Sequence, residues 1–210
     1  MMTARKIAVI SAGLSQPSSS RLLADRLAEA TVRRLEEQGV EVEVTTIELR
    51  DVAKDVTNNL LAGFPSPALA DVIETVTGAD GLIAVTPIFT TSYSGMFKSF
   101  FDILDPTALD GMPVLIGATG GTERHSLALE YAMRPMFTYL HSVVVPTSVY
   151  AASADWGSGA DTVKALPDRI ERAAGEFSTL VSASDRSSRI KDPFALDGDF
   201  ASMIGGFQGD

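Results

Sequence analysis

"DGLIAVTPIFTTSYSGMFKSFFDIL", residues 80 to 104, decides the fold. Its first part, 80 to 87, is a short apolar run with the β-branched content of a buried strand. Its last part brings Met96, Phe97, Phe100, Phe101 and Leu104 onto one side at helical spacing. Between them stand Ile88, Phe89 and the polar cluster Thr90, Thr91, Ser92, Tyr93 and Ser94, in which Ser94 reads as the N-cap of the helix. The stretch is therefore a buried strand, a polar loop and a helix in direct succession.

The same succession recurs on both sides. "KIAVISAG" (6 to 13) is a strand ending in Gly13, and 18 to 39 is a helix with Leu23, Leu27, Ala30 and Leu35 on its apolar side and Gly39 as its stop. Residues 40 to 49 alternate as a strand, and 66 to 79 read as a helix. "MPVLIGATGG" (112 to 121) is a strand running into glycines, 124 to 141 is helical, and 142 to 151 supplies the fifth strand. A last helix carries Leu166, Ile170, Ala173, Phe177 and Leu180. Alternating strands and helices with central strands apolar on both faces predict an α/β/α three-layer sandwich. Its five-stranded parallel sheet takes the flavodoxin-like order 2-1-3-4-5. Pro135 removes the N–H that the carbonyl of Tyr131 would take, which predicts a kink or π-bulge around 131 to 135. One domain over 1–183 is expected, followed by a tail, 184–210, whose scattered Phe194, Leu196, Phe200, Met203, Ile204 and Phe207 suggest partial docking.

With 210 residues and 45% hydrophobic content, one core is expected. The absence of cysteine excludes disulfides, thiol nucleophiles and redox dithiols, so redox chemistry must come from a bound cofactor. A formal charge of −10 argues against nucleic acid as a partner. The two histidines, His125 and His141, lack acidic partners at ligand spacing, and no metal is expected. The first apolar run is too short for a signal peptide or a membrane span, which predicts a cytoplasmic protein with no membrane contact.

In the 2-1-3-4-5 order, the loops after strands 1, 3 and 4 converge at the carboxyl edge of the sheet. They are "SAGLSQPSSS", "TPIFTTSYSG" and "ATGGTERH". The first holds Ser11, Ser15, Ser18, Ser19 and Ser20 ahead of a helix, where hydroxyls and free amides suit a phosphate monoester, or simply a surface loop with one capping serine. Gly13 stands alone where a dinucleotide site needs G-x-G-x-x-G, so a mononucleotide is favoured. Backbone groups of Pro87 to Ser92 can read the edge of a flat ring bordered by Phe89. Gly120 and Gly121 before a helix offer further N–H groups for negative charge.

These loops resemble those of the NADPH-dependent FMN reductases, especially members that supply reduced flavin to two-component, luciferase-like monooxygenases. The stretch 86 to 104 is similar to that family's P-V-Y-x-x-S-Y-S-G-x-L-K segment, and 118 to 140 to its A-T-G-G…H…Y-A-L-[KR]-P segment. The resemblance covers about residues 5 to 183. It implies FMN, with Ser11, Ser15, Ser18, Ser19 and Ser20 at the phosphate and Leu14 beside them. Pro87, Ile88, Phe89, Thr90, Ser92, Tyr93 and Ser94, with Thr119, Gly120 and Gly121, would meet the ring. The reaction it implies is hydride transfer from NADPH, or NADH, to the flavin, with no catalytic acid or base required of the protein. Arg21, Arg124 and His125 flank the site as candidate contacts for the nicotinamide nucleotide.

Other readings remain open. A quinone or azo-compound reductase with bound FMN is the nearest, and a flavodoxin-type electron carrier or a nucleotide-binding regulatory module is more distant. A carrier should cover its flavin with large aromatics, whereas the ring loops offer only Phe89 and Tyr93. The helix around Tyr131, Met133, Met136, Phe137 and Tyr139 is apolar on nearly every side, which predicts a homodimer or homotetramer. The resemblance also puts this helix at an oligomer interface.

Overall fold

The computed structural model describes residues 4–156, 165–184 and 186. Strands β1 (Arg5–Ser11), β2 (Val42–Glu48), β3 (Gly81–Phe89) and β5 (Pro113–Gly120) form the body of the sheet, with β6 (Val143–Val144) and β7 (Val149–Ala152) along its far side. A two-residue strand, β4 (Ser92–Tyr93), folds back on the end of β3. The spatial order is β2-β1-β3-β5-β6, with β7 continuing beside β5. All pairings except β3–β4 are parallel. This is the expected order.

Alternate residues along each strand feed two separate cores, as the period of two requires. Ile7, Val9, Ile83, Val85 and Leu115 pack beneath α1 (Ser19–Glu37) and α6 (Leu166–Ala183), against Leu23, Leu27, Ile170 and Phe177. Ala8, Ile10, Leu82, Ala84, Val114 and Ile116 face the other way, toward α2 (Ala53–Ala62), α3 (Pro67–Thr77), α4 (Gly95–Asp102) and α5 (Arg134–Tyr139). There the rings of Phe97 and Phe101 lie 4.8 Å apart and those of Phe101 and Phe137 4.9 Å, fastening α4 to α5.

Four local features depart from the sequence reading. Helix α2 was not expected, because it buries only Val56 and Asn59 and leaves Leu60 and Leu61 in solvent, so its apolar period is weak. Where the sequence predicts a polar loop, Ile88–Phe89 and Ser92–Tyr93 pair as the hairpin β3–β4. The expected strand 142–151 is broken in two. From Val114↔Val144 to Gly117↔Val149, β5 advances three residues while its partner advances five. Pro146 lies in that bulge, where it has no N–H to give to a ladder. Arg134 donates to the freed carbonyls of Val145 and Pro146 at 2.9 and 3.1 Å.

The helix expected over 124–141 comes in pieces: a 3-10 turn Glu123–His125, a π-helical turn Leu129–Met133, then α5. The π turn sits directly ahead of Pro135, as the missing N–H demands. Of the expected tail, only Ser184 and Arg186 are described; the rest lies outside the described residues. Arg186 donates to the carbonyls of Thr77, Ala108 and Asp110, which fixes it beneath the amino-terminal ends of β3 and β5.

Candidate functional site

The loops at the carboxyl edge of β1, β3 and β5 enclose a cleft of about 450 Å³, within the range of small-ligand sites. The first loop leaves β1 through Gly13, where a Cβ would come within 1.9 Å of the Ser18 hydroxyl oxygen. A side chain there would displace the Ser18 hydroxyl from its place at the start of α1. Ser18 caps that helix by accepting from the amide of Arg21 at 3.2 Å. As an acceptor in that bond, its hydroxyl still has its own proton to donate into the cleft. Ser15, Ser18, Ser19 and Ser20 all line the cleft, as does Leu14.

Ser20 is buried and reaches across to Thr119 at the end of β5, oxygen to oxygen 2.8 Å. The two loops are thereby tied into one wall. Ser11 is not on the cleft surface: its hydroxyl is buried below the loop without a hydrogen-bond partner among the described residues.

The second wall comes from Pro87, Ile88 and Phe89. Thr90 and Thr91 have φ of 48° and 69°, and form the two-residue tip of the β3–β4 hairpin. Both tip residues of such a turn need positive φ, which is uncomfortable for β-branched threonine. Pairing occupies Phe89 with Ser92, whereas the neighbouring Ile88↔Tyr93 pair alternates to the non-hydrogen-bonded kind. The main chain of Ile88 therefore turns away from β4 and toward β5, where the Pro87↔Thr119 pair closes the ladder.

Thr90, Ser92, Tyr93 and Ser94 do not line the cleft. Ser94 is buried and structural: it caps α4 through the amide of Phe97 at 3.2 Å, and its own amide donates to the Thr86 hydroxyl at 3.1 Å. Tyr93 faces a groove between α4 and α5.

Gly120 and Gly121 form the third wall. A Cβ on Gly120 would lie 2.0 Å from the Tyr150 hydroxyl, which donates to the carbonyl of Thr122 at 2.8 Å. Burial pushes the Tyr150 phenol above its ordinary pKa, so it stays a neutral donor. The following turn is too short to act as a helix N-terminus, and the amide-rich helix start expected there does not form. Arg124 and His125 sit on that turn outside the cleft lining.

Arg21 is committed elsewhere. It bonds Asp25 at 2.7 Å and Glu48 at 3.0 Å, and the Asp25 contact above all holds it charged. Arg50 joins Glu48 at 2.8 Å and reaches the carbonyl of Ser15, bracing the serine loop. Two cleft residues escaped the sequence reading, Ser153 and Trp156, which follow β7. The signal was available in the topology, because the end of the last strand opens at the same edge as β5.

Hydroxyls and first-turn amides at one end, and main-chain edges with two glycines at the other, fit a phosphate monoester joined to a flat ring. The donor set therefore suits FMN. Residues 5–157 match the sequence profile of the NADPH-dependent FMN reductases. The chain is 33% identical over 186 residues to FMN reductase (NADPH) of Pseudomonas aeruginosa, covering 89% of this chain and 96% of that protein. It is 35% identical over 183 residues to NADH-dependent FMN reductase SfnE of Pseudomonas putida, covering 87% and 96%. The solved oxidoreductase from Corynebacterium diphtheriae superposes with a TM-score of 0.82 at 44% identity, covering 85% of this chain and 97% of that one. Profile, full-length relatives and sheet order agree, and the chain belongs to the NADPH-dependent FMN reductase family.

Proposed function

We propose that this NAD(P)H-dependent FMN reductase holds FMN in the cleft at the carboxyl edge of the sheet and hands the reduced flavin to a partner flavin-dependent monooxygenase. The observation that carries the binding mode is the joining of the serine loop, Pro87–Phe89 and Gly120–Gly121 in one cleft. Ser15, Ser18 and Ser19 and the first-turn amides of α1 hold the phosphate, where the positive end of the helix favours it. Pro87, Ile88 and Phe89 border the ring, and Gly120 and Gly121 let it approach the backbone.

When bound, the flavin supplies the acceptor for a hydride from the nicotinamide ring. The chain contributes position and electrostatics: it needs no side-chain acid or base at the cleft. The relatives include both NADPH- and NADH-named enzymes, and either nucleotide is a candidate donor. Supply to a monooxygenase is supported by a cleft in which, among the described residues, Phe89 and Trp156 are the large aromatics, so that the ring is not enclosed by stacked side chains.

No helix among the described residues is long and apolar enough to cross a membrane. In this reading the enzyme works in the cytoplasm, where reduced nicotinamide nucleotides are made, and as a homodimer or homotetramer through the surface around Tyr131. The test is steady-state oxidation of NADPH and NADH by purified protein with FMN, riboflavin or a quinone as acceptor. FMN-dependent turnover is expected; a folded protein that turns over only with the quinone would overturn the proposal.

A further inference from the structure

We infer that Trp156, held against α1 by Arg26, closes the phosphate end of the cleft and selects the mononucleotide flavin over the dinucleotide. This rests on the FMN-binding reading above.

Trp156 is the chain's single tryptophan. It ends the turn Ser153–Trp156 after β7 and lines the same cleft as Gly13, Ser18 and Ser19. The guanidinium carbon of Arg26 lies 5.0 Å from the centre of its indole. Arg26 follows Ser19 by seven residues on α1, so the two share a helix face, about 10 Å apart along the axis. The indole therefore lies along the first two turns of α1, at the end of the cleft where the serine hydroxyls and free amides collect.

The ring is fixed from two sides. Its turn is pinned by the carboxylate of Asp155, which accepts from the amide of Ala152 at 2.7 Å and from Arg169 at 2.5 Å. Its face is covered by Arg26, and a cation over an indole is the strongest pairing of that kind. Arg26 makes no ion pair with a described residue, unlike Arg21. No described carboxylate offsets its charge at this end of the cleft.

Two consequences follow for flavin choice. A monoester dianion gains more from the open cation than the singly charged phosphate groups of a dinucleotide do. The adenosine of FAD has to leave the cleft beyond the first phosphate, where the clamped indole stands, so FAD must displace the Trp156–Arg26 contact to bind. Discrimination by an obstacle to the wrong ligand is a common source of specificity.

The experiment is equilibrium binding of FMN, FAD and riboflavin to the full chain, followed by flavin fluorescence, with circular dichroism to show that each variant is folded. The wild type should bind FMN about tenfold or more tighter than FAD, and Trp156→Ala should bring the two within about threefold. Trp156→Phe should keep most of the preference. Arg26→Ala, an exposed substitution, should lower FMN binding more than riboflavin binding and narrow the FMN-to-FAD ratio. A folded Trp156→Ala with an unchanged ratio overturns the inference, as does a wild type that takes FAD as tightly as FMN. A ratio that moves further toward FMN in Trp156→Ala overturns it too, since the indole would then be stacking on the adenine. Failure of the FMN reading is distinguishable: the wild type would bind neither flavin, and the inference would fall with it.

Discussion

The hydroxyl of Ser20, on the first turn of α1, lies 2.8 Å from that of Thr119 at the end of β5, ninety-nine residues away. Both side chains are buried, so this bond is the direct tie between the serine loop and the glycine loop. Thr119→Val leaves the Ser20 hydroxyl buried without that partner and should destabilise the protein by about 1 to 3 kcal/mol. Ser20→Ala should act similarly, and the double variant should lose less than the sum of the two. Urea denaturation of all four proteins measures the coupling. Strict additivity would mean that the bond contributes nothing.

Ser19 is exposed on the same helical turn and lines the cleft. Aspartate there is favourable to the helix, because a negative charge meets the positive end of its dipole. It is unfavourable to a phosphate at the same place. Ser19→Asp should therefore keep or raise thermal stability while weakening FMN by about 1 to 3 kcal/mol, with riboflavin little affected. Equal weakening of both flavins in a binding titration would remove the phosphate from this loop.

The sheet order was legible because buried parallel strands announce themselves as unbroken apolar runs, and 6–13, 80–87 and 112–121 are of that kind. The loops were legible from topology, which needs only the order of strands to bring three connections together. Individual roles inside the loops were not. Thr90, Ser92, Tyr93 and Ser94 look like ligand groups in sequence, yet the antiparallel return of β4 and the capping of α4 take them out of the cleft. A two-residue strand has no period to read. Trp156 shows the converse, a lone aromatic in a polar connection whose place depends on which strand edge it follows. Arg21 stood beside the serine loop in sequence, but its partner Glu48 comes from β2, a contact that no local spacing reveals.

Gly120 and Tyr150 occupy one space. A methyl group at 120 would meet the phenol oxygen at 2.0 Å and the ring carbon behind it at 3.1 Å. Gly120→Ala should therefore shift the 120–122 turn or the tyrosine, destabilising by about 1 to 3 kcal/mol as overpacking does, and should weaken flavin binding. Tyr150→Phe removes the oxygen but not the ring carbon, so adding it should restore part of the stability and little of the binding. Thermal melts beside flavin titrations separate the two effects. Full tolerance of alanine at 120 would show that the turn has slack that its packing conceals.

Glu176 links α6 to the bulge between β6 and β7, accepting from the amide and the hydroxyl of Thr147, each at 2.7 Å. Burial alone would raise its pKa. The Thr147 bonds and Arg172 outweigh that and hold it below the ordinary 4.5. A carboxyl depressed in the folded state adds stability that is fully present above its unfolded pKa and is lost as pH falls through the folded one. The loss should begin near pH 4.5 and continue below it. Glu176→Gln should be less stable than the wild type at neutral pH, and the gap between them should narrow below that point. Melting temperatures recorded between neutral and acidic pH give both curves. A gap independent of pH would place the contribution in packing rather than charge.

Tyr131 and Tyr139 are 80% and 74% exposed on the π turn and α5, and Leu127 is exposed just before them. Beside them runs a groove of about 530 Å³ between α4 and α5, floored by Phe101 and Met136 and flanked by Pro135. Glu130 and Arg134 pair with each other and with the β6–β7 bulge, so the π turn is held against the sheet from behind while its aromatic face stays open. An aromatic surface of this kind beside an apolar groove is what a second copy of the chain can cover. Tyr131→Asp should shift the protein toward monomer, because an aspartate buried between two copies has no partner to offset its desolvation. Circular dichroism should remain unchanged, since Tyr131 contributes little to its own core. Sedimentation of wild type and variant, with and without FMN, provides the measurement. A wild type already monomeric at micromolar concentration under both conditions would leave this surface without a role in assembly.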